Sequence, residues 1–173
     1  MGMQYRKSMR LKDFDYASEG EYFITIVTHE RKALFGEIKD GKMILNEYGR
    51  IVEFAWNGLV KHNLNIELDE FVTMPNHVHG IIAIVGAGPR PASMMNNYDR
   101  AGLEPAPTVR LPEIVRQFKT FSAKRINELR GSVGIVVWQR GYYDHIIRSE
   151  KDYEAICNYI ADNPQNWEND EER

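Results

Sequence analysis

Two histidines one residue apart are the side chains in this sequence best suited to do chemistry together. They sit in Met74-Pro75-Asn76-His77-Val78-His79-Gly80, directly before the apolar run Ile81-Ile82-Ala83-Ile84-Val85. Pro75 and Asn76 are turn residues, and the β-branched run after them reads as a buried strand. A strand sends alternate side chains to opposite faces, so His77 and His79 emerge on one face with Val78 between them. A single histidine there would be read as a satisfied structural residue. A pair on one face can ligate one divalent cation or grip one anion.

The elements that must carry this pair can be read in chain order. Tyr22 to Thr28 is β-branched and aromatic throughout, a strong strand. Asp40-Gly41 is a turn signal beside the short β-like piece Met43-Ile44-Leu45. Asn46 can cap a helix running to about His62, with Tyr48, Ile51, Val52, Ala55 and Leu59 as its buried stripe. Leu64 to Thr73 is a second strand, joined by Pro75-Asn76 to the histidine strand as a hairpin. A Pro/Gly-rich stretch over 86–108 reads as a long mobile loop. Leu111-Pro112 opens a helix that runs to Arg130, with Ile114, Val115, Phe118, Phe121, Ile126 and Leu129 as its apolar side and Gly131 as its stop. Gly134 to Trp138 reads as a short strand, followed by Tyr142 to Arg148. The last helix starts at Ser149, with Asp152 three residues on in a capping-box pattern. Its inner face is Tyr153, Ile156, Cys157 and Ile160, and Asn163-Pro164 stops it.

Strand, helix, strand, strand, helix, strand and a trailing helix is the order of an α+β, ferredoxin-like split βαβ fold. It implies an antiparallel sheet with helices on one face, plus the C-terminal helix. The 173 residues are expected to form a single domain, 1–173, with a basic arm over 1–20.

Composition narrows the function classes. A 43% hydrophobic content supports a sizeable core, and 27% charged residues is ordinary for a soluble chain. No apolar run approaches the length of a membrane span, and the basic start has no apolar stretch behind it, so neither a membrane segment nor a secretory signal is expected and a cytoplasmic location is. A lone cysteine, Cys157, excludes an internal disulfide and a cysteine-based zinc site. The net charge of −3 argues against wholesale nucleic-acid binding, but the charge is unevenly spread. Arg6, Lys7, Arg10 and Lys12 open the chain, and 110–130 is rich in Arg and Lys. The stretch from 149 onward is acidic, and the bland reading of all these charged runs is solvated helix faces. A local basic face can hold phosphates within a globally acidic protein, because charges beyond the Debye length of about 8–10 Å are screened.

Taken together, Arg10-Leu11, Asp15-Tyr16, Tyr22-Phe23, Met74 to Gly80, Trp138-Gln139, Tyr142 to Arg148, Tyr159-Ile160 and Asn163-Pro164 resemble, in order, the single-domain HUH tyrosine transposases, in particular the REP-associated branch. The resemblance covers about 10–164 and leaves 86–108 as the variable part. It implies a metal-dependent enzyme that cuts single-stranded or hairpin DNA and rejoins it, a DNA transposase and strand-transferase. Two histidines and a polar helix residue would hold Mg²⁺ or Mn²⁺, the metal would polarise the scissile phosphate, and a tyrosine would form a 5′-phosphotyrosine intermediate. His77 and His79 correspond directly to the metal-binding pair.

The other roles are less direct. The family pattern leads us to expect the tyrosine on the helix over 112–130, which here carries Phe118 and Phe121 and no tyrosine. Tyr143 and Tyr142, just beyond Trp138, are the candidate nucleophiles. For the third metal ligand the choices are Asn127, Gln117 and His145, with Asn127 preferred by its position. Arg6, Lys7, Arg10, Arg116, Lys119, Lys124 and Arg125 are the expected DNA-binding residues, and Trp138, Tyr142 and Tyr143 could stack on unpaired bases. The alternatives are a catalytically inactive or repurposed hairpin or single-strand DNA-binding protein, which Phe118 and Phe121 favour, and a metal-dependent phosphodiesterase that activates water. A monomer is expected, since no apolar helix face is left over.

Overall fold

The computed structural model describes residues 19–85, 110–170 and 172–173. The loop expected over 86–108 lies outside them, as does the basic arm up to residue 18 with Arg6, Lys7 and Arg10. Strand β1 is Gly20–Val27, followed by a small hairpin of β2 (Gly36–Lys39) and β3 (Lys42–Leu45). Asp40 and Gly41 at its tip both have positive φ, as the tight hairpin turn requires. Helix α1 spans Glu47–Asn57, with the Asn46 side chain accepting from the Gly49 N–H at 3.0 Å. The single helix expected to reach His62 is broken at Gly58, and a short α2 covers Leu59–His62.

Strand β4 (Ile66–Thr73) turns through Met74–Asn76 into β5 (His77–Ile84). Helix α3 is Leu111–Leu129, β6 is Tyr143–Ile147 and α4 is Glu150–Asp162. Ser149 caps α4 as expected, its hydroxyl accepting from the Asp152 N–H at 3.2 Å. The main sheet has the order β4-β5-β1-β6 with every neighbouring pair antiparallel, consistent with a ferredoxin-like arrangement. The strand expected over 134–138 is not one: it makes an isolated bridge between Trp138 and Thr28.

Strand alternation divides the structure into two sides. Tyr22, Ile24 and Ile26 of β1 and Val78, Ile82 and Ile84 of β5 share one buried cluster with Val52, Trp56, Leu59, Leu111, Ile114, Val115, Phe118 and Ile126. This is the side of α1 and α3. Phe23 of β1, Ile81 of β5 and Ile147 of β6 form a second cluster with Ile160, Tyr153, Ile156 and Cys157 of α4. The C-terminal helix therefore covers the opposite face. Gly80 lies between the histidine pair and the apolar run for a steric reason. A Cβ there would stand 2.6 Å from ring carbons of Trp56, which stacks on Phe71 with centroids 4.4 Å apart. Among the described residues no helix is long and apolar enough to cross a membrane.

Candidate metal centre

His77 and His79 project from β5 onto the α4 side, because Val78 and Gly80 face α1 and α3. Both are sealed from solvent, at 0% and 1% exposure. Their rings lie 4.5 Å apart between centroids, and each is held through Nδ1. His77 Nδ1 is 2.8 Å from Asn76 Oδ1. The Asn76 amide nitrogen donates to the carbonyls of Glu172 and Arg31, so Oδ1 is the acceptor and the His77 proton sits on Nδ1. His79 Nδ1 is 2.8 Å from Thr25 Oγ1, on the neighbouring strand directly opposite it. Outer partners of this kind fix a ligating imidazole's tautomer and aim.

A third group comes from the chain beyond α4. Asp170 projects its carboxylate to 3.8 Å from His77 Nε2, and its side chain is 2% exposed. Ligand atoms of His77, His79 and Asp170 all lie within 4.8 Å of one another. His77 Nε2, Asp170 Oδ2 and Asn163 Oδ1 are buried without a hydrogen-bond partner. Leaving a carboxylate oxygen and two further polar atoms unsatisfied in the interior is costly, and a divalent cation among them would satisfy all three. Two imidazoles, a carboxylate and an amide oxygen suit such an ion. The cluster can therefore bind a divalent metal.

Burial sets the protonation. It pushes His77 down to about 4, outweighing the upward pull of Asp170 and Asn163, with the Arg31 charge adding to the fall. His79 is pushed well below the ordinary histidine value by burial and then by His77. Both rings are neutral near pH 7, the form a metal requires, so the contact of His77 with Asp170 is not an ion pair there. The strap that delivers Asp170 is tied down by Arg31, 3.0 Å from the Glu172 carboxylate.

Tyr159 of α4 completes the centre. Its hydroxyl is 3.3 Å from His79 Nε2, the ring nitrogen turned away from Thr25. Asn163 follows four residues later, one helical turn on and on the same face. The helix over 112–130, where the resemblance led us to expect a tyrosine, is α3, which lies across the sheet from the histidines. Phe118 and Phe121 consequently say nothing about the site. Tyr143 lines the same cavity as His79 and Tyr159, whereas Tyr142 packs with the α1 and α3 core and lines a separate groove along α3.

Asn127 is not a ligand in this arrangement. Its amide donates to the Ile135 carbonyl at 3.0 Å and accepts from Arg130, on the far side of the sheet. Gln117 pairs with Asn63 at 3.0 Å. His145 lines the cavity but is bound to Asp152 at 2.9 Å. The expected DNA-binding residues that are described, Arg116, Lys119, Lys124 and Arg125, lie on α3, away from the histidines. Arg116 pairs with Glu113, Lys124 approaches Glu128 at 3.9 Å, and Arg125 lies over the Phe54 ring at 5.0 Å. Lys119 donates to the carbonyls of Gln139, Arg140 and Gly141, and burial lowers it to about 8. It holds that loop together and has no donor free for a phosphate. Trp138 is core, its indole N–H donating to Ser122 at 2.9 Å, so it cannot stack on a base.

Asp170, Asn163 and Tyr159 are the residues that sequence reading missed. Asp170 was hidden in an acidic run that reads as solvated surface. The spacing of Tyr159 and Asn163 on one helical face was the available signal.

No protein-family profile matches the chain. An uncharacterised protein of Haemophilus influenzae is 40% identical over 174 residues, covering 98% of this chain and 94% of that protein. A second Haemophilus influenzae protein, provisionally named a REP-associated tyrosine transposase, is 28% identical over 151 residues, 87% of this chain and 73% of its own length. Among solved structures, a REP-associated tyrosine transposase bound to a REP hairpin aligns with a TM-score of 0.49 at 20% identity, covering 95% of this chain and 73% of that one. A Deinococcus radiodurans protein provisionally named a transposase aligns at 0.49 and 18% identity, covering 83% and 90%. The chain thus belongs to the same family as the uncharacterised Haemophilus influenzae protein, and it has weaker sequence homology to the REP-associated tyrosine transposases.

Proposed function

We propose that this protein is a metal-dependent single-strand DNA endonuclease and strand-transferase that works through Tyr159, with hairpin-containing DNA as its substrate. The observation that carries the reading is the tyrosine hydroxyl held at 3.3 Å from His79, beside three buried polar atoms that lack partners. His77, His79 and Asp170, with Asn163 Oδ1 beside them, would hold Mg²⁺ or Mn²⁺. Such an ion supplies charge stabilisation at the non-bridging oxygens of a phosphodiester.

The chain's own residues do the rest. Asn76 and Thr25 hold the imidazoles with Nε2 directed inward, and α4 carries the Tyr159 oxygen to the same point. The Tyr159 oxygen forms a bond to phosphorus as the bond from phosphorus to the 3′-oxygen breaks. The phenol proton is lost to water and the 3′-oxygen takes one up. A 5′-phosphotyrosine and a free 3′-OH result, and attack by that hydroxyl on the phosphotyrosine rejoins the strand. The hairpin is what the sequence resemblance implies, and the relative at 28% identity is itself provisionally named a tyrosine transposase.

The test is incubation with Mn²⁺ and a pool of labelled DNA hairpins with randomised single-stranded flanks, followed by denaturation. A covalent protein–DNA adduct, mapped to Tyr159 by mass spectrometry, is the expected product. Free cleavage products without an adduct would mean attack by water, and shifted but intact DNA would mean a binding protein.

A further inference from the structure

The cavity beside His79 extends beyond what a metal site needs. It measures about 470 Å³ and continues past Thr25 to Phe23, Tyr143, His145 and Asp152. Along β1 this direction leads away from His77, since Val27 is opposite His77, Thr25 is opposite His79 and Tyr143, and Phe23 is opposite His145. The Phe23 ring stacks on His79 at 5.4 Å and 25°. Two tyrosines meet Phe23 edge to face, Tyr143 at 6.3 Å and Tyr159 at 6.0 Å. One comes from the edge strand and the other from the covering helix. They are 39% and 47% exposed, so both present ring surface to the opening. Hydrogen-bonding groups line the same space: the His145–Asp152 pair, Asn166 and Asn169.

We propose that this extension is a binding slot for one unpaired nucleobase, next to the phosphodiester presented to Tyr159, with the base stacked on Tyr143. The proposal rests on the function proposed above. Aromatic faces bind any base through its π surface, and the polar groups around them can meet a base edge. A base in a duplex has neighbours on both faces and cannot enter. The Asp152 carboxylate lines this end of the cavity and disfavours a phosphate there, whereas Asp170 lies at the metal-binding end. The neutral base is thus directed into the slot while the charged backbone is left to the metal-binding side.

The experiment uses the hairpin selected by adduct formation from the randomised pool, with 2-aminopurine placed at each flank position in turn. It is bound to Mn²⁺-loaded Tyr159→Phe protein, which holds DNA without joining it. One position beside the cleavage point should be quenched. The quench should disappear in Tyr159→Phe/Tyr143→Ala and persist in Tyr159→Phe/Tyr143→Phe. An abasic site at that position should weaken binding to the unchanged protein by roughly 5- to 150-fold, the range for losing one base–aromatic stack. This second arm is independent of whether Tyr143→Ala folds. A quench that survives Tyr143→Ala, or an abasic site that binds as well as the intact strand, overturns the slot while the adduct still stands. If the pool yields neither adduct nor complex, the proposed function itself fails and the slot fails with it.

Discussion

The Tyr159 hydroxyl stands 3.3 Å from His79 Nε2, and the two rings meet at 63° with centroids 5.1 Å apart. This contact joins the covering helix to the histidine strand at the point where both deliver their polar atoms. If it marks the reacting group, Tyr159→Phe should abolish the covalent adduct while leaving Mn²⁺ affinity within about 2-fold, because only a hydroxyl is removed. Tyr143→Phe should retain the adduct. Adduct yield on a denaturing gel and metal titration by calorimetry decide the matter, and an adduct surviving in Tyr159→Phe would remove this residue from the chemistry.

Asp170 should have opposite effects with and without metal. In the metal-free protein its carboxylate is buried with one oxygen unpartnered, a destabilising arrangement. Asp170→Asn should therefore raise the melting temperature in EDTA, yet largely erase the upward shift produced by Mn²⁺. A variant that loses stability in EDTA and keeps the full Mn²⁺ shift would show that Asp170 is not a ligand.

Thr25 acts one step back from the metal. It holds His79 through Nδ1 at 2.8 Å, so Thr25→Val, similar in shape, should weaken Mn²⁺ binding by about 10- to 100-fold. Unchanged affinity would mean that packing alone orients the ring.

Acid should loosen the metal-free fold. His77 has its folded value depressed from 6.5 to about 4, and His79 is depressed as well. Between those values the unfolded chain binds more protons than the folded one, so the stability present above about 6.5 is lost as pH falls toward about 4. Urea midpoints in EDTA should thus decrease steadily across this window, and a flat profile would show that the rings are not buried in their neutral form.

Gly80→Ala should destabilise the protein by about 1–3 kcal/mol, the usual cost of overpacking a filled core. The added methyl would meet Trp56 at 2.6 Å and Phe71 at 3.0 Å. Chemical denaturation measures this directly, and a neutral outcome would mean that the Trp56–Phe71 stack shifts freely.

Within single elements the sequence was decisive. The spacing of His77 and His79 put them on one face because backbone geometry fixes a strand's period at two. Ser149 and Asn46 announced their caps, and the order of elements implied a ferredoxin-like sheet. Which helix would cover the histidines was a different kind of question. Strand β5 is buried on both faces along nearly its whole length, so its apolar run gives no clue to which side meets α1 and α3. Only packing decided that, with Gly80 under Trp56 and the histidines turned toward α4. That choice took the basic residues of α3 and Asn127 away from the site and brought in Tyr159, Asn163 and Asp170. Asp170 could come only from the folded chain, because a carboxylate in an acidic run becomes a ligand through the neighbours that folding gives it.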